Sequence, residues 1–245
     1  MASADHLGGS SIEVDARPFA RFAHPAPSVS ARPLRARLSR PYPDAMFTGL
    51  VQAVGTVAAA VATPDGLDLT IDAPRWAHSP EHGASISVNG VCLTHTGRSG
   101  RPLTFRAVAE TLSRSTLGDL RAADRVNLEH AVRADTLMGG HFVQGHIDAL
   151  TRVRSVNADP ADWRVEFDAA PPLLELLIPK GSVCIDGVSL TVARVGPDSF
   201  GVALIPTTLE LTTLGALRPG SRVNIETDMI VRSVVNVLSL RAGRG

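Results

Sequence analysis

The chain repeats itself. Asn89-Gly90-Val91-Cys92-Leu93-Thr94 returns 97 residues later as Asp186-Gly187-Val188-Ser189-Leu190-Thr191. The same ungapped offset carries Thr116-Leu117-Gly118 onto Thr213-Leu214-Gly215 and Val126-Asn127-Leu128-Glu129 onto Val223-Asn224-Ile225-Glu226. Between Ser85 and Glu129 about 16 of 45 positions are identical to their counterparts, well above what composition alone produces. An offset of 96 pairs Gly49-Leu50-Val51 with Gly145-His146-Ile147. Each copy must close a core of its own within roughly 90 residues, which is the scale of a small closed β-barrel. Two copies make a pseudo-symmetric tandem pair rather than a solenoid.

Local patterning agrees with barrels. Ser85-Ile86-Ser87-Val88 runs into Asn89-Gly90, and Ser182-Val183-Cys184-Ile185 runs into Asp186-Gly187. A short β-branched run before Asn-Gly or Asp-Gly predicts a hairpin, because both residues tolerate the positive φ of a type I′ turn. Long amphipathic helical patterns are missing until the C-terminus, so the expected class is all-β. From Met229 the period changes: Ile230, Val231, Val234, Val235 and Leu238 share one helical face, opposite Arg232, Ser233, Asn236 and Ser239. So short and valine-rich a helix is marginal alone and needs a partner, either another chain or its own barrel. The expected division is a leader over 1–45, barrels over 46–138 and 139–228, and a terminal helix over 229–241.

The leader reads as disordered. Pro18, Pro25, Pro27, Pro33, Pro41 and Pro43 interrupt any regular period there. It lacks the apolar core of a secretory signal; an organelle transit peptide and translation starting at Met46 are the alternatives. Over the whole chain, 24 basic residues balance 24 acidic ones, which argues against nucleic acid as a main partner. No apolar run is long enough to span a bilayer as a helix. Two cysteines are too few for a disulfide framework or a four-cysteine zinc site, so the default compartment is the reducing cytoplasm, with transit to an organelle left open. Lys180 is the only lysine among the 24 cations, and arginine coding bias or a chemical need are equal explanations for it.

Taken together, the motifs resemble those of the riboflavin synthase family. MFTGLVQAVGTV from Met46, GASISVNGVCLT from Gly83 and ETLSRSTLGDL from Glu110 are similar to its first half. GGHFVQGHID from Gly139, KGSVCIDGVSLTV from Lys180, LIPTTL from Leu204 and VNIETD from Val223 are similar to its second. The likeness runs from Met46 to about Leu240. It implies two six-stranded Greek-key barrels, a short C-terminal helix at which three chains form a trimer, and active sites between the first barrel of one chain and the second barrel of its neighbour. It further implies a dismutation of two 6,7-dimethyl-8-ribityllumazine molecules, by transfer of a four-carbon unit, to riboflavin and 5-amino-6-ribitylaminouracil. Neither metal nor redox cofactor is expected; lumazine synthase is a candidate partner.

Such a reaction asks for proton removal from one C7 methyl, nucleophilic addition at the other C7, and two rings held face to face. Cys92 is either a nucleophile and proton carrier or a small buried hydrophobe, and its place in VCLT favours the first. His146 titrates near neutrality and is assigned ligand contact, with His141 in support. Asp228 has Ala131 as its counterpart, so the fold of the unit does not demand a carboxylate there. Ser189 mirrors Cys92, giving a catalytic set of Cys92, Ser189, His146 and Asp228. Substrate-binding positions in the first copy are Gly49, Leu50, Val51, Ser85, Leu93, Thr94 and the wall Arg106, Ala107, Val108, Ala109, Glu110, Thr111. In the second they are Gly145, Ile147, Lys180, Leu190, Thr191 and the wall Leu204, Ile205, Pro206, Thr207, Thr208, Leu209. Thr207 stands where relatives carry His or Glu, and Ala109 where they often carry Lys. The alternative is a non-catalytic antenna protein of the same fold that binds one lumazine or flavin. A flavin-binding barrel of the ferredoxin-reductase type is disfavoured, because the only tyrosine, Tyr42, lies in the leader.

Overall fold

A computed structural model describes residues 46–98, 100 and 102–242; the disorder expected for 1–45 lies outside these. Strands β1 (Ala53–Thr63), β2 (Gly66–Asp72), β3 (Ser85–Val88), β4 (Val91–Thr94), β5 (Leu103–Val108) and β6 (Arg125–His130) form one antiparallel sheet in the order β4-β3-β6-β1-β2-β5. Strands β7 (Ala149–Asp159), β8 (Asp162–Asp168), β9 (Ser182–Ile185), β10 (Val188–Val195), β11 (Ser199–Ala203) and β12 (Arg222–Thr227) close into a barrel in the order β10-β11-β8-β7-β12-β9. Both halves carry the same hairpins and the same return of the last strand between the first and third.

The two halves close differently. β10 is long enough to pair with both β9 and β11, whereas β4 ends at Thr94 and the chain just beyond it meets β5 through the bridge His95–Phe105 and a 2.8 Å bond from the Thr96 N–H to the Thr104 carbonyl. The buried His95 imidazole takes the place of ladder bonds: the Thr104 N–H donates to its Nδ1 at 3.2 Å, and its Nε2 lies 3.2 Å from the Arg98 carbonyl. The expected hairpins are present. Asn89, Gly90, Asp186 and Gly187 all have φ between 44° and 80°, the signature of type I′ turns.

Alternation along the strands fills each core. Leu103, Phe105 and Ala107 of β5 point inward with Leu69, Ile71, Ile86 and Leu128. In the second core Phe167 and Phe200 stack at 5.2 Å among Val183, Ile185, Val192 and Ile225. Three short helices, α1 (Ala109–Arg114), α2 (Pro171–Leu174) and α3 (Pro206–Leu211), interrupt the strands, and α4 (Met229–Ala242) ends the chain. No residue of α4 is buried, so its apolar stripe of Ile230, Val234, Val237 and Leu238 stays exposed rather than folding back onto the barrel.

A third, smaller cluster joins the halves. Phe47 and Val143 exchange backbone hydrogen bonds at 2.7 and 3.1 Å and pack with Cys184. Burying one phenylalanine fully is worth about 1.5–3 kcal/mol. The leading segment of each repeat therefore lies against the other repeat, an exchange that the division at 138/139 did not anticipate. Asn127 of β6 donates to the Asp186 carbonyl at 2.9 Å and accepts from the Thr213 N–H at 2.8 Å. Asn224 of β12 does the reciprocal, donating to the Asn89 carbonyl at 2.8 Å and accepting from the Thr116 N–H at 2.7 Å. The repeated Asn-Gly/Asp-Gly, Thr-Leu-Gly and Val-Asn-x-Glu motifs are thus one symmetric fastening between the halves.

Candidate active site

The crossing segments build two related sites. The Cys92 N–H donates to the Gly145 carbonyl at 3.0 Å, and the Ser189 N–H donates to the Gly49 carbonyl at 2.7 Å. Both glycines have positive φ, +80° and +75°. A Cβ on Gly145 would sit 2.6 Å from the Cys92 nitrogen, and one on Gly49 would sit 2.7 Å from that of Ser189. Only glycine meets both demands, the left-handed backbone and the close approach.

Each segment is held by a buried glutamate. Glu129 accepts from the Thr48 N–H and hydroxyl, both at 2.7 Å, and from the Gly49 N–H at 2.9 Å. Glu226 accepts from the N–H groups of Gln144, Gly145 and His146 at 2.7, 2.9 and 3.2 Å. Burial pushes the Glu226 carboxyl up to about 7 against the opposing pull of these donors, and raises that of Glu129 in the same way. Sequence reasoning aligned these glutamates but gave them no role. The available signal was their identity in both copies, at the end of the shared Val-Asn-x-Glu motif.

The first site is a cleft of ≈ 230 Å³ lined by Val91, Cys92, Glu110, Thr111, Arg114, Ser115, Gly145, His146 and Ile147. It brings together Cys92, the Glu110-Thr111 wall and the whole Gly145–Ile147 segment. Glu110 is already ion-paired with Arg114 one helical turn on. Burial pushes the Cys92 thiol up, opposed by a hydrogen bond with Ser85 and reinforced by Glu226, so at neutral pH it is a thiol rather than a thiolate. Other expected binding positions of the first copy lie elsewhere. Leu93 and Ala107 face the core, and Arg106 forms a bidentate pair with Asp68 at 2.6 and 2.7 Å on the outer surface.

Around Ser189 the arrangement differs. His141 Nδ1 lies 2.7 Å from the Ser189 hydroxyl oxygen, while its Nε2 is buried with no hydrogen-bond partner among the described residues. Burial holds the His141 pKa below its ordinary value, partly offset by the Asp228 charge, so the ring is neutral near pH 7. Asp228 also caps α4, accepting from the Ile230 N–H at 2.8 Å. Leu190 and Leu204 are core residues, and Ile205, Pro206, Thr207 and Lys180 are exposed at the rim. A groove of ≈ 250 Å³ on the outer face of the second barrel contains none of these motif residues, and its cations are paired as Arg194–Glu166 and Arg164–Asp162.

Two unlike polar sites are thus set on a tandem pair of related β-domains, and comparison with known proteins places the chain in the lumazine-binding class. The lumazine binding domain model matches twice, over residues 48–131 and 144–228. The riboflavin synthase of Mycobacterium tuberculosis is 43% identical over 201 residues, covering 79% of this chain and 98% of that protein. That of Actinobacillus pleuropneumoniae is 38% identical over 194 residues, covering 79% and 90%. Among solved structures, LumP complexed with riboflavin superposes with a TM-score of 0.68 at 28% identity, covering 74% of this chain and 98% of that one. The chain belongs to the riboflavin synthase family.

Proposed function

We propose that this protein converts two molecules of 6,7-dimethyl-8-ribityllumazine into riboflavin and 5-amino-6-ribitylaminouracil. A four-carbon unit leaves the donor ring and completes the third ring of the acceptor, so the atoms balance between the two products without any added cofactor. The observation that carries the reading is the pair of pseudo-equivalent but chemically unlike sites, Cys92 with His146 and Ser189 with His141 and Asp228. Two copies of one substrate fit such a pair in opposite roles. Most of the acceleration comes from holding the two rings together, with protons moved by His146, the Cys92 thiol and Asp228. Ser85, Ser189 and Thr191 supply hydroxyls for the polar edge of the rings, and Lys180 a cation for the ribityl chain.

The sites complete one another between chains. The exposed stripe of α4 packs with two further copies in a trimer, and the first barrel of one chain faces the second of its neighbour. The setting is the cytoplasm, with lumazine synthase as a supplier of substrate. The experiment is incubation of purified protein with 6,7-dimethyl-8-ribityllumazine and no other cofactor. Riboflavin should accumulate at half the molar amount of lumazine consumed. Binding with no turnover would instead move the chain to the antenna class represented by LumP.

A further inference from the structure

The helix α4 reaches back to the first site through one side chain. Arg232 stands opposite the apolar face of the helix, yet it is half-buried. Its Nη2 donates to the Gln144 amide oxygen at 2.7 Å, and its Nη1 pairs with the Asp148 carboxylate. Gln144 and Asp148 bracket Gly145, His146 and Ile147, the three residues that the crossing segment contributes to the Cys92 cleft. Asp148 is itself fixed, its other oxygen accepting from the Thr227 N–H at 2.8 Å and hydroxyl at 2.6 Å.

We infer that Arg232 is a positioning residue: its guanidinium clasps both flanks of the Gly145–Ile147 segment and sets the placement of His146 opposite Cys92. Glu226 anchors this segment through the N–H groups of Gln144, Gly145 and His146, and Cys92 and Ile225 hold its backbone at Gly145 and Asp148; Arg232 adds the side-chain contacts at its two flanks. The two terminal nitrogens of the planar guanidinium reach the amide oxygen and the carboxylate separately, which a lysine ammonium, with all its donors on one nitrogen, matches less well. The repeat supplies an internal control. Thr48–Gln52 is the equivalent segment in the first copy, with Leu50 in place of His146. It is followed by no helix at the corresponding place; Gln52, the counterpart of Asp148, accepts from the His130 N–H at 3.0 Å just as Asp148 accepts from Thr227, but it bonds no guanidinium among the described residues. The clasp is found on the segment that carries the histidine. Arg232 does not line the cleft, so its influence passes through the backbone that it holds.

This inference rests on the Cys92 cleft being a ligand site, and its test is arranged to separate the two claims. Riboflavin and 6,7-dimethyl-8-ribityllumazine are titrated into wild type, Arg232→Ala, Arg232→Lys and Gln144→Leu, with turnover, melting and sedimentation measured on the same samples. Arg232→Ala should weaken binding or kcat/KM about ten-fold, the scale expected when a reacting group is misplaced by a fraction of an ångström to an ångström. Arg232→Lys keeps the charge but loses the fork, and should recover only part of the loss. Gln144→Leu cuts one arm and leaves helix and ion pair in place; a drop of several-fold with unchanged sedimentation supports the clasp. Unchanged binding and turnover in Arg232→Ala, or in Gln144→Leu where Arg232→Ala falls apart, would overturn it. A wild type that binds without turnover defeats the proposed activity but leaves the binding arm to judge the clasp.

Discussion

Asp186 stands where the first repeat has Asn89, and the consequence is a pH-dependent weakness. Both occupy the first central position of a type I′ turn, at φ 44° and 47°. Both use a side-chain oxygen to accept the N–H of the partner asparagine at 2.8 Å, Asn224 for Asp186 and Asn127 for Asn89. Asp186 is 7% exposed, and burial pushes its carboxyl from an ordinary 3.8 up to about 7, the single Asn224 N–H opposing only weakly. Its folded-state pKa lies above the unfolded one. The stability is therefore fully present below pH 3.8 and is lost progressively as pH rises through 7. At about 1.36 kcal/mol per pH unit, the loss is about 2 kcal/mol near pH 5 and on the order of 4 kcal/mol near pH 8.

Asp186→Asn removes that term. The asparagine keeps the acceptor for Asn224, and Asn89 demonstrates that the added amide is accommodated, since its nitrogen is not among the buried unpaired atoms. Urea unfolding of the two proteins at about pH 5 and about pH 8 is the assay. The variant should gain stability relative to wild type by about 2–3 kcal/mol between those two values, whatever constant offset the substitution brings. Glu226 and Glu129 also ionise with a penalty, but they are common to both proteins and cancel in the difference. A difference independent of pH would refute the argument, because it would mean that Asp186 already sits ionised in the fold.

Gly145→Ala should destabilise the chain by about 1–3 kcal/mol from the left-handed backbone and the contact with Cys92, and should weaken ligand binding in that cleft; thermal melting and titration check this. Val234→Asp, placed in the exposed stripe of α4, should shift sedimentation from trimer to monomer and abolish riboflavin formation, whereas an active monomer would show that one chain holds a complete site.

Much of the architecture was legible because duplication doubles each signal. Asn-Gly and Asp-Gly marked the hairpins to the residue, since turn chemistry is local. The exchange of the leading segments was not legible. Period-2 patterning tells which face a residue presents, but says nothing of which copy covers it. Phe47 and Val143 read simply as apolar residues near the start of each repeat. The way the chain joins β4 to β5 was not legible for a similar reason, because His95 carries no sign that its ring will replace a carbonyl in a ladder. The helical phase of Arg232 puts it opposite the apolar face, and phase cannot foresee a carboxylate and an amide presented by a loop 84–88 residues away. Six of the nine residues lining the cleft around Cys92 stand among the expected positions, while Arg106, Leu93 and Ala107, expected from the resemblance, do not line it.

Comparison of the two copies separates scaffold from chemistry. The parts that fasten the halves are identical or isosteric in both: Gly49 and Gly145, Asn127 and Asn224, Glu129 and Glu226, Asn89 and Asp186. The parts that differ are those around the sites: Cys92 and Ser189, Leu50 and His146, Ala131 and Asp228. If that division is physical, exchanging a differing residue for its counterpart costs function but not fold. His146→Leu is the sharpest case. Leu50 already occupies the equivalent backbone, following a glycine of φ +75° that matches the +80° of Gly145. The bond from the residue 146 N–H to Glu226, at 3.2 Å, uses no side-chain atom and survives the change. The histidine side chain is exposed and makes no hydrogen bond within the described residues, so melting should move by less than about 0.5 kcal/mol equivalent. Turnover should fall by about 10²-fold, the scale of removing one general acid–base group. His146→Leu with normal kcat would take proton transfer away from this residue and leave it to the Ser189 side, where the neutral His141 is the remaining imidazole.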